Sequence, residues 1–375
     1  MSDLRTMAGA RRVDGVADVE ADLASPQGMA DALGLPRGDV ASVRVTSTPS
    51  TGHSWLTFFE VTYRGAAATS LPARLVSKHK APPQVPPQAL LQAPLQPTPA
   101  SPQRARVAPM REVTFYRQFA AGLPSPPVVR CLAARETSAE SRGYVLLEDM
   151  RVTHAEPPAD ETTIDFGLAV DALASIHAAH WESPERTSWP EGNASEEAVV
   201  TNLRKMGAHL PAFFDAAGDA LSADERRLYE RVFSSSLRPF LRPLDGRAVT
   251  LTHGSAHIGN FLVPRAPGGE AYLVDWERFR ADIGARDLAY LMMLRRPQDG
   301  RRQLEQSLLC RYLAQLESLG VPAYSWDDLW NDYRGCWIRN LTATIRKQHR
   351  SDDAWRELKD HAIAGIVDLQ CEELL

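Results

Sequence analysis

Apolar residues come in short runs broken by small polar turns over the first part of the chain, and at helical spacing over most of the rest. Val43–Val45 and Leu56–Tyr63 predict two strands separated by the small-residue loop 47–54. Arg74–Lys78 predicts a third strand, and Val128–Ala134 and Gly143–Leu147 predict two more. Between these, Val113, Phe115, Tyr116 and Phe119 recur near helical spacing, so Met110–Ala121 predicts a helix with Glu112 in its first turn. Beyond residue 150 helices take over. Leu168, Leu173 and Ile176 lie on one running to Trp181, and Glu225–Phe233, Leu288–Leu294, Leu304–Leu319 and Leu329–Ile345 read as others. An exception is the pair Phe261–Val263 and Ala271–Val274, which flanks Pro267-Gly268-Gly269 and predicts a hairpin. No repeat recurs at a solenoid period.

Residues 81–109 break the pattern. They are crowded with Pro, Gln and Ala and lack apolar periodicity, which predicts an extended insertion. A plain surface loop and a cover over a nearby site are both compatible with that composition.

Composition narrows the class. At 375 residues there is material for about two domains or lobes, and 44% hydrophobic with 24% charged residues is ordinary for a globular chain. A net charge of −5 offers no long-range attraction to nucleic acid, and basic residues occur only as short pairs such as Arg11-Arg12. Cys131, Cys310, Cys336 and Cys371 are too scattered for a metal site or a compact disulfide framework, so reduced thiols and a cytoplasmic setting are expected. Met1–Glu20 has no apolar signal core and no eighteen apolar residues run together, so neither a secretory leader nor a membrane span is expected. Oligomeric state is not encoded in these features.

The chemistry concentrates in Leu251–Asn260, which reads Leu-Thr-His-Gly-Ser-Ala-His-Ile-Gly-Asn, with Asp275 fifteen residues after Asn260. Kinase-type phosphoryl transfer uses an Asp that accepts the hydroxyl proton, an Asn five residues on that holds one Mg²⁺, and a further Asp that holds metal. The predicted hairpin returns Asp275 to the side of Asn260. A His-Gly turn before an Asn is, taken alone, also an ordinary loop.

The ordered set of motifs resembles the small-molecule kinases that include aminoglycoside phosphotransferases, choline kinases and the ecdysteroid-kinase-like group. Those enzymes carry His-Gly-Asp, four residues, then Asn; this chain carries His253, Gly254, Ser255, four residues, then Asn260. Arg111-Glu112-Val113-Thr114-Phe115-Tyr116 resembles their Glu-x-x-Phe-Tyr helix, and Leu146-Leu147-Glu148-Asp149-Met150 resembles their hinge. Gly284, then Asp287-Leu288-Ala289, resembles the segment opening their long helix.

The resemblance implies an α+β, protein-kinase-like, two-lobed fold. Residues 1–150 would be a β-rich nucleotide-binding N-lobe, with 81–109 as its insertion, and 151–375 a mainly helical C-lobe with the catalytic loop. It implies ATP and Mg²⁺ as cofactors and a hydroxyl of a natural product, antibiotic or metabolite as acceptor. Lys78 would orient the α- and β-phosphates and Glu112 would hold Lys78, while Asn260 and Asp275 would bind Mg²⁺. Gly52 and Ser54 would belong to the nucleotide-covering loop, and the Glu148 carbonyl and Met150 N–H would meet adenine.

Ser255 is the departure. An unactivated hydroxyl is uncharged near neutral pH and cannot replace a carboxylate base, and losing a positioned base typically costs about 10²- to 10⁴-fold in rate. His253 and His257 join Ser255 as the candidate catalytic residues, and His257 could accept the proton or merely orient the loop. The alternative is a nucleotide-binding pseudokinase, or different chemistry on the same fold.

Several further residues have expected roles. Asp165-Phe166-Gly167 spells a metal-binding tripeptide but precedes the catalytic loop by about ninety residues, so Asp165 is expected to cap a helix. His177 is expected in the core, and Asp287 as loop anchor and helix cap. Glu277, Asp282, Trp330, Tyr333 and Trp337 read either as acceptor-pocket lining or as surface charge and helical core. Nothing resembles the Ala-Pro-Glu anchor of enzymes acting on proteins.

Overall fold

Alternating burial along β3 (Arg74–Lys80), with Leu75, Ser77 and His79 inward, shows a strand covered on one side and partly covered on the other. The structure, a computed structural model, describes residues 19–49, 54–80, 110–138, 142–158, 160, 163–234, 237–294, 298–349 and 355–375. They divide into two compact units, one within Met1–Phe119 and Arg130–Asp149, the other comprising Ala120–Val129 and Met150–Leu375.

In the first unit, β1 (Val40–Ser47), β2 (Ser54–Tyr63), β3, β4 (Cys131–Arg135) and β5 (Tyr144–Glu148) make an antiparallel sheet in the order β1-β2-β3-β5-β4. Leu75 pairs with Phe59, and Lys78 pairs with Leu56 and Val145. Phe59, Val61, Leu75, Tyr144 and Leu146 share a core with Val19, Leu23 and Met29 from the helices Val19–Leu23 and Pro26–Leu33. Because side chains alternate, Lys78 takes the face opposite Leu75. The helix Arg111–Gln118 packs on β4 and β5.

The helices at 19–33 escaped the sequence reading. They are too short for a periodic signal, although Ser25 caps the second through a 2.9 Å bond from Gly28 N–H and Gly34 closes it at φ 66°. Val128 was expected to open a strand beside β5. That strand starts only at Cys131, while Val128 bridges in parallel to Leu273 in the second unit. Pro124, Pro126 and Pro127 supply no N–H donors there, and the Pro127 carbonyl accepts from Leu273 N–H at 2.8 Å.

The second unit is mainly helical. Phe166–Ala179, Ala285–Met293, Gln298–Ser318, Trp326–His349 and Trp355–Asp368 pack around fully buried Tyr229, Tyr312, Tyr333 and Trp337. Asp165 caps the first of these helices, accepting from Gly167 N–H at 2.9 Å, as its position predicted. Two small sheets complete the unit. β7 (Val249–Thr252) pairs antiparallel with β10 (Arg280–Ile283), and β8 (Phe261–Pro264) lies between β6 (His154–Ala155) and β9 (Tyr272–Leu273). The architecture is α+β. All four cysteines are free, and among the described residues no helix is long and apolar enough to cross a membrane.

Candidate active site

Within the first unit, Lys78 Nζ lies 2.6 Å from Glu112 Oε2, with the lysine side chain 13% exposed and the glutamate 1%. Burying either charge alone costs several kcal/mol, about 3–5 kcal/mol when one partner is removed, so the pair is retained only as a pair. The helix Arg111–Gln118 contributes by placing Glu112 in its first turn, where the helix dipole favours a carboxylate. Ser54 opens β2, is buried, and pairs with Lys80. Gly52 and the insertion 81–109 lie outside the described residues. Glu148 ends β5, its N–H bonded to the Arg130 carbonyl at 3.0 Å, and Met150 opens the short turn Met150–Val152.

In the second unit, β7 delivers the chain into the loop His253-Gly254-Ser255, and Asp287 holds that loop. Its Oδ2 accepts from His253 N–H at 2.6 Å and its Oδ1 from Gly254 N–H at 2.9 Å. His177 donates to the same carboxylate from Nε2 at 3.3 Å, while its Nδ1 accepts from the Tyr312 hydroxyl at 2.8 Å. Asp287 is fully buried. Burial opposes its charge, yet the bonds from His177 and Gly254 hold its carboxyl below the usual range. The anchoring role expected of Asp287 is therefore present, and so is the core role of His177. The capping role is not: the helix Ala285–Met293 starts from Gly284, and Asp287, already inside its first turn, turns its carboxylate back to the loop.

Gly254 sits at φ 75°, where a Cβ would collide with the Arg278 carbonyl and come 3.0 Å from Arg280 Nε. Gly254→Ala is expected to destabilise the protein by more than about 1 kcal/mol; urea denaturation checks this, and an unchanged midpoint would refute the steric account. His253 Nε2 donates to the Val274 carbonyl at 3.0 Å and its Nδ1 accepts from Ser255 N–H at 3.3 Å, which defines a neutral ring. Its edge meets Trp276 at 4.8 Å. His253 is thus a loop brace.

The hairpin forms as predicted, with Phe261 opposite Leu273, and the Asn260 carbonyl accepts from Val274 N–H at 2.9 Å. Asn260 and Asp275 consequently neighbour each other at one end of β8 and β9. Asn260 Nδ2 donates to the Ser255 carbonyl at 2.9 Å, which leaves Oδ1 as the amide atom suited to a cation. Asp275 adopts left-handed backbone at φ 70°, ψ 59°. Such a conformation costs energy in a non-glycine residue and concentrates at functional sites. Among the described residues no three His, Cys, Asp or Glu side chains gather as a metal cage. One carboxylate and one amide nonetheless fit Mg²⁺, which keeps waters and takes phosphate oxygens for its remaining positions.

His257 is half-buried and its ring lies against Gly259, with Nδ1 3.1 Å from where a Cβ would stand. Tyr333 and Trp337 prove to be core, not pocket: both are fully buried, and the Tyr333 hydroxyl donates to Glu305 at 2.5 Å. Trp330 stacks on Trp326 at 5.6 Å. Glu277 is half-buried beside Asp275, and Asp282 is buried, gripped by Arg339 through two 2.8 Å bonds. Sequence reasoning named Asp282 but missed its partner Arg339, along with Arg280 and Arg286; isolated arginines on a strand and two helices carry no local signal.

An α+β fold with a buried Lys–Glu pair, a clamped His-Gly loop and an adjacent Asn and Asp defines a kinase-like phosphotransferase class. Residues 73–330 match the model of the phosphotransferase enzyme family, more than half of the chain, and the protein belongs to that family. Among curated proteins no sequence matches. Among solved structures, an aminoglycoside-phosphotransferase-like protein from Ralstonia eutropha is similar at 14% identity and TM-score 0.51, over 89% of this chain and 94% of that one. A fructosamine-3-kinase-like protein from Thermobifida fusca aligns at 18% identity and TM-score 0.47, over 91% and 98%. The choline kinase of Streptococcus pneumoniae aligns at 14% identity and TM-score 0.46, over 88% and 95%. The fold is the protein-kinase-like one.

Proposed function

We propose that the chain binds ATP with Mg²⁺ and transfers the γ-phosphoryl group to a hydroxyl of a small molecule, slowly because Ser255 stands where the general base belongs. The observation that carries this reading is the buried Lys78–Glu112 pair at 2.6 Å. It holds an ammonium in one orientation at low exposure, which is what gripping a nucleotide phosphate requires. Asn260 Oδ1 and the Asp275 carboxylate would hold Mg²⁺, which neutralises charge on the phosphates when bound. The main chain at Glu148 and Met150 is the expected adenine contact. Nothing in the composition or fold points to a nucleic-acid or membrane partner, and a cytoplasmic setting fits the free cysteines.

Ser255 itself favours a second reading, a nucleotide-binding member of the family that performs no transfer. Calorimetric titration with ATP and Mg²⁺ tests both at their common root. Binding to the chain as it stands, weakened at least about tenfold in Lys78→Ala and in Asp275→Ala, is the expected result. Affinities unchanged by both substitutions would remove the nucleotide assignment altogether.

A further inference from the structure

Six arginines, Arg186, Arg278, Arg280, Arg286, Arg339 and Arg346, line one cavity of ≈ 570 Å³ within the second unit. Among the described residues two carboxylates line it with them, Glu191 and Asp282. Asp282 is already saturated by the bidentate grip of Arg339. Arg286, with its side chain 12% exposed, stands 3.8 Å from that same carboxylate, and Arg280 Nε stands 3.8 Å from Glu191, too far for a hydrogen bond. Arg280 Nε is moreover buried without a hydrogen-bond partner.

Among the described residues, Arg280 and Arg286 are thus short of negative charge. Burial, and then the repulsion of Arg339, push the Arg286 guanidinium down to about 10, despite the attraction of Asp282. A fold gains nothing by crowding guanidinium groups around one buried carboxylate; a structural ion pair needs one arginine, and Arg339 fills that role. The surplus cations make sense as a binding site for an anion, to which planar guanidinium groups offer paired donors. Leu203, Met206 and Phe240 line the same cavity and offer apolar surface to the rest of a ligand.

The cavity adjoins the catalytic loop. Arg280 pairs with Thr252, the residue before His253, and its Nε borders Gly254. Arg278 follows Asp275 by one short turn.

We infer that this cavity is the acceptor site and that the hydroxyl compound it takes is an anion, carrying a carboxylate or phosphate beside an apolar portion. The inference deepens the phosphotransfer reading and rests on it for the word acceptor. An anionic acceptor would be held by Arg280 and Arg286, its hydroxyl left to reach toward Ser255.

The test uses calorimetry on the full chain carrying Lys78→Ala, without nucleotide, so that the other expected phosphate-binding cation is removed. Inorganic phosphate is one probe and choline chloride the other. Phosphate is expected to bind, to weaken about tenfold when Arg286→Met is added and again as salt rises, while choline gives no heat. Arg280→Met, at a more exposed position, provides the same reading should Arg286→Met fail to fold by circular dichroism. Phosphate that does not bind, phosphate affinity indifferent to the arginine substitutions, or binding of choline would each overturn the inference. The ATP titration described above decides the kinase reading separately: failure of the phosphate test leaves that reading standing, whereas failure of the ATP titration leaves an anion site that is no longer an acceptor site.

Discussion

Replacing Ser255 by aspartate raises the rate of ATP-dependent phosphorylation of a bound hydroxyl compound by about 10²- to 10⁴-fold, the contribution of one positioned general base. The loop should accept the change. It uses the main chain of Ser255, whose N–H donates to His253 and whose carbonyl accepts from Asn260 Nδ2 and His257 N–H, and the residue is only half-buried. An aspartate there would place a carboxylate on the same loop as the Asn260 amide. The measurement is ADP release under single-substrate saturation, with Asp275→Ala as the background in which the gain disappears. No gain with an acceptor shown to bind would leave the pseudokinase reading in possession. His257 can be weighed in the same assay: if its ring were already accepting the proton, His257→Gln would abolish the residual activity of the Ser255 protein and the aspartate would add little.

Removing the Asp287 carboxylate should have the largest effect on stability. Asp287→Ala leaves the His253 and Gly254 N–H groups and the His177 ring without their acceptor, all in a buried setting. Stranding a buried donor costs roughly 1–3 kcal/mol, and removal of one partner from a buried charged network about 3–5 kcal/mol. A loss in that upper range is expected in urea denaturation; a loss below about 1 kcal/mol would contradict the anchoring role. The same carboxylate predicts an acid response. Its pKa is lowered in the folded state, so its stabilisation is complete above the unfolded carboxylate value of about 3.9 and declines as pH falls through the lower folded value. Stability should therefore fall more steeply with acid in the parent chain than in Asp287→Ala.

Some of the site was legible along the chain because its spacing is local. Asn260 and Asp275 are joined by one hairpin whose strands and Gly-rich turn are contiguous, so pairing them needed only the two-residue period of a strand and a turn signal. Lys78 and Glu112 were harder, being separated by the insertion 81–109, yet each sits at a recognisable place: near the end of a strand and in a helix first turn. The short helices before β1 and the course of 120–129 were not legible. The first have too few residues for a period to emerge, and the second depends on where a proline-rich segment finds a partner, which is Leu273, more than a hundred residues away.

Trp330, Tyr333 and Trp337 illustrate a different limit. Their spacing places them along one helix, but spacing cannot distinguish a face turned to a pocket from one turned to the core, and Tyr333 and Trp337 turned to the core. Asp287 divides in the same way. Its place near a helix start was readable; its carboxylate could cap that helix or reach back to β7, and the preceding Gly284 turn chose the latter.

By itself the sequence determined the main strands and long helices, the order of the motifs, the hairpin joining Asn260 to Asp275, and the absence of a carboxylate at position 255, since these rest on local backbone preference and on residue identity. Only the tertiary structure decided that Asp287 clamps the loop, that His253 is a neutral brace, and that arginines from 186, 278, 280, 286, 339 and 346 surround one cavity. Those facts depend on side chains from distant segments meeting in three dimensions, where burial and charge are set by the sum of neighbours and not by any one stretch of chain.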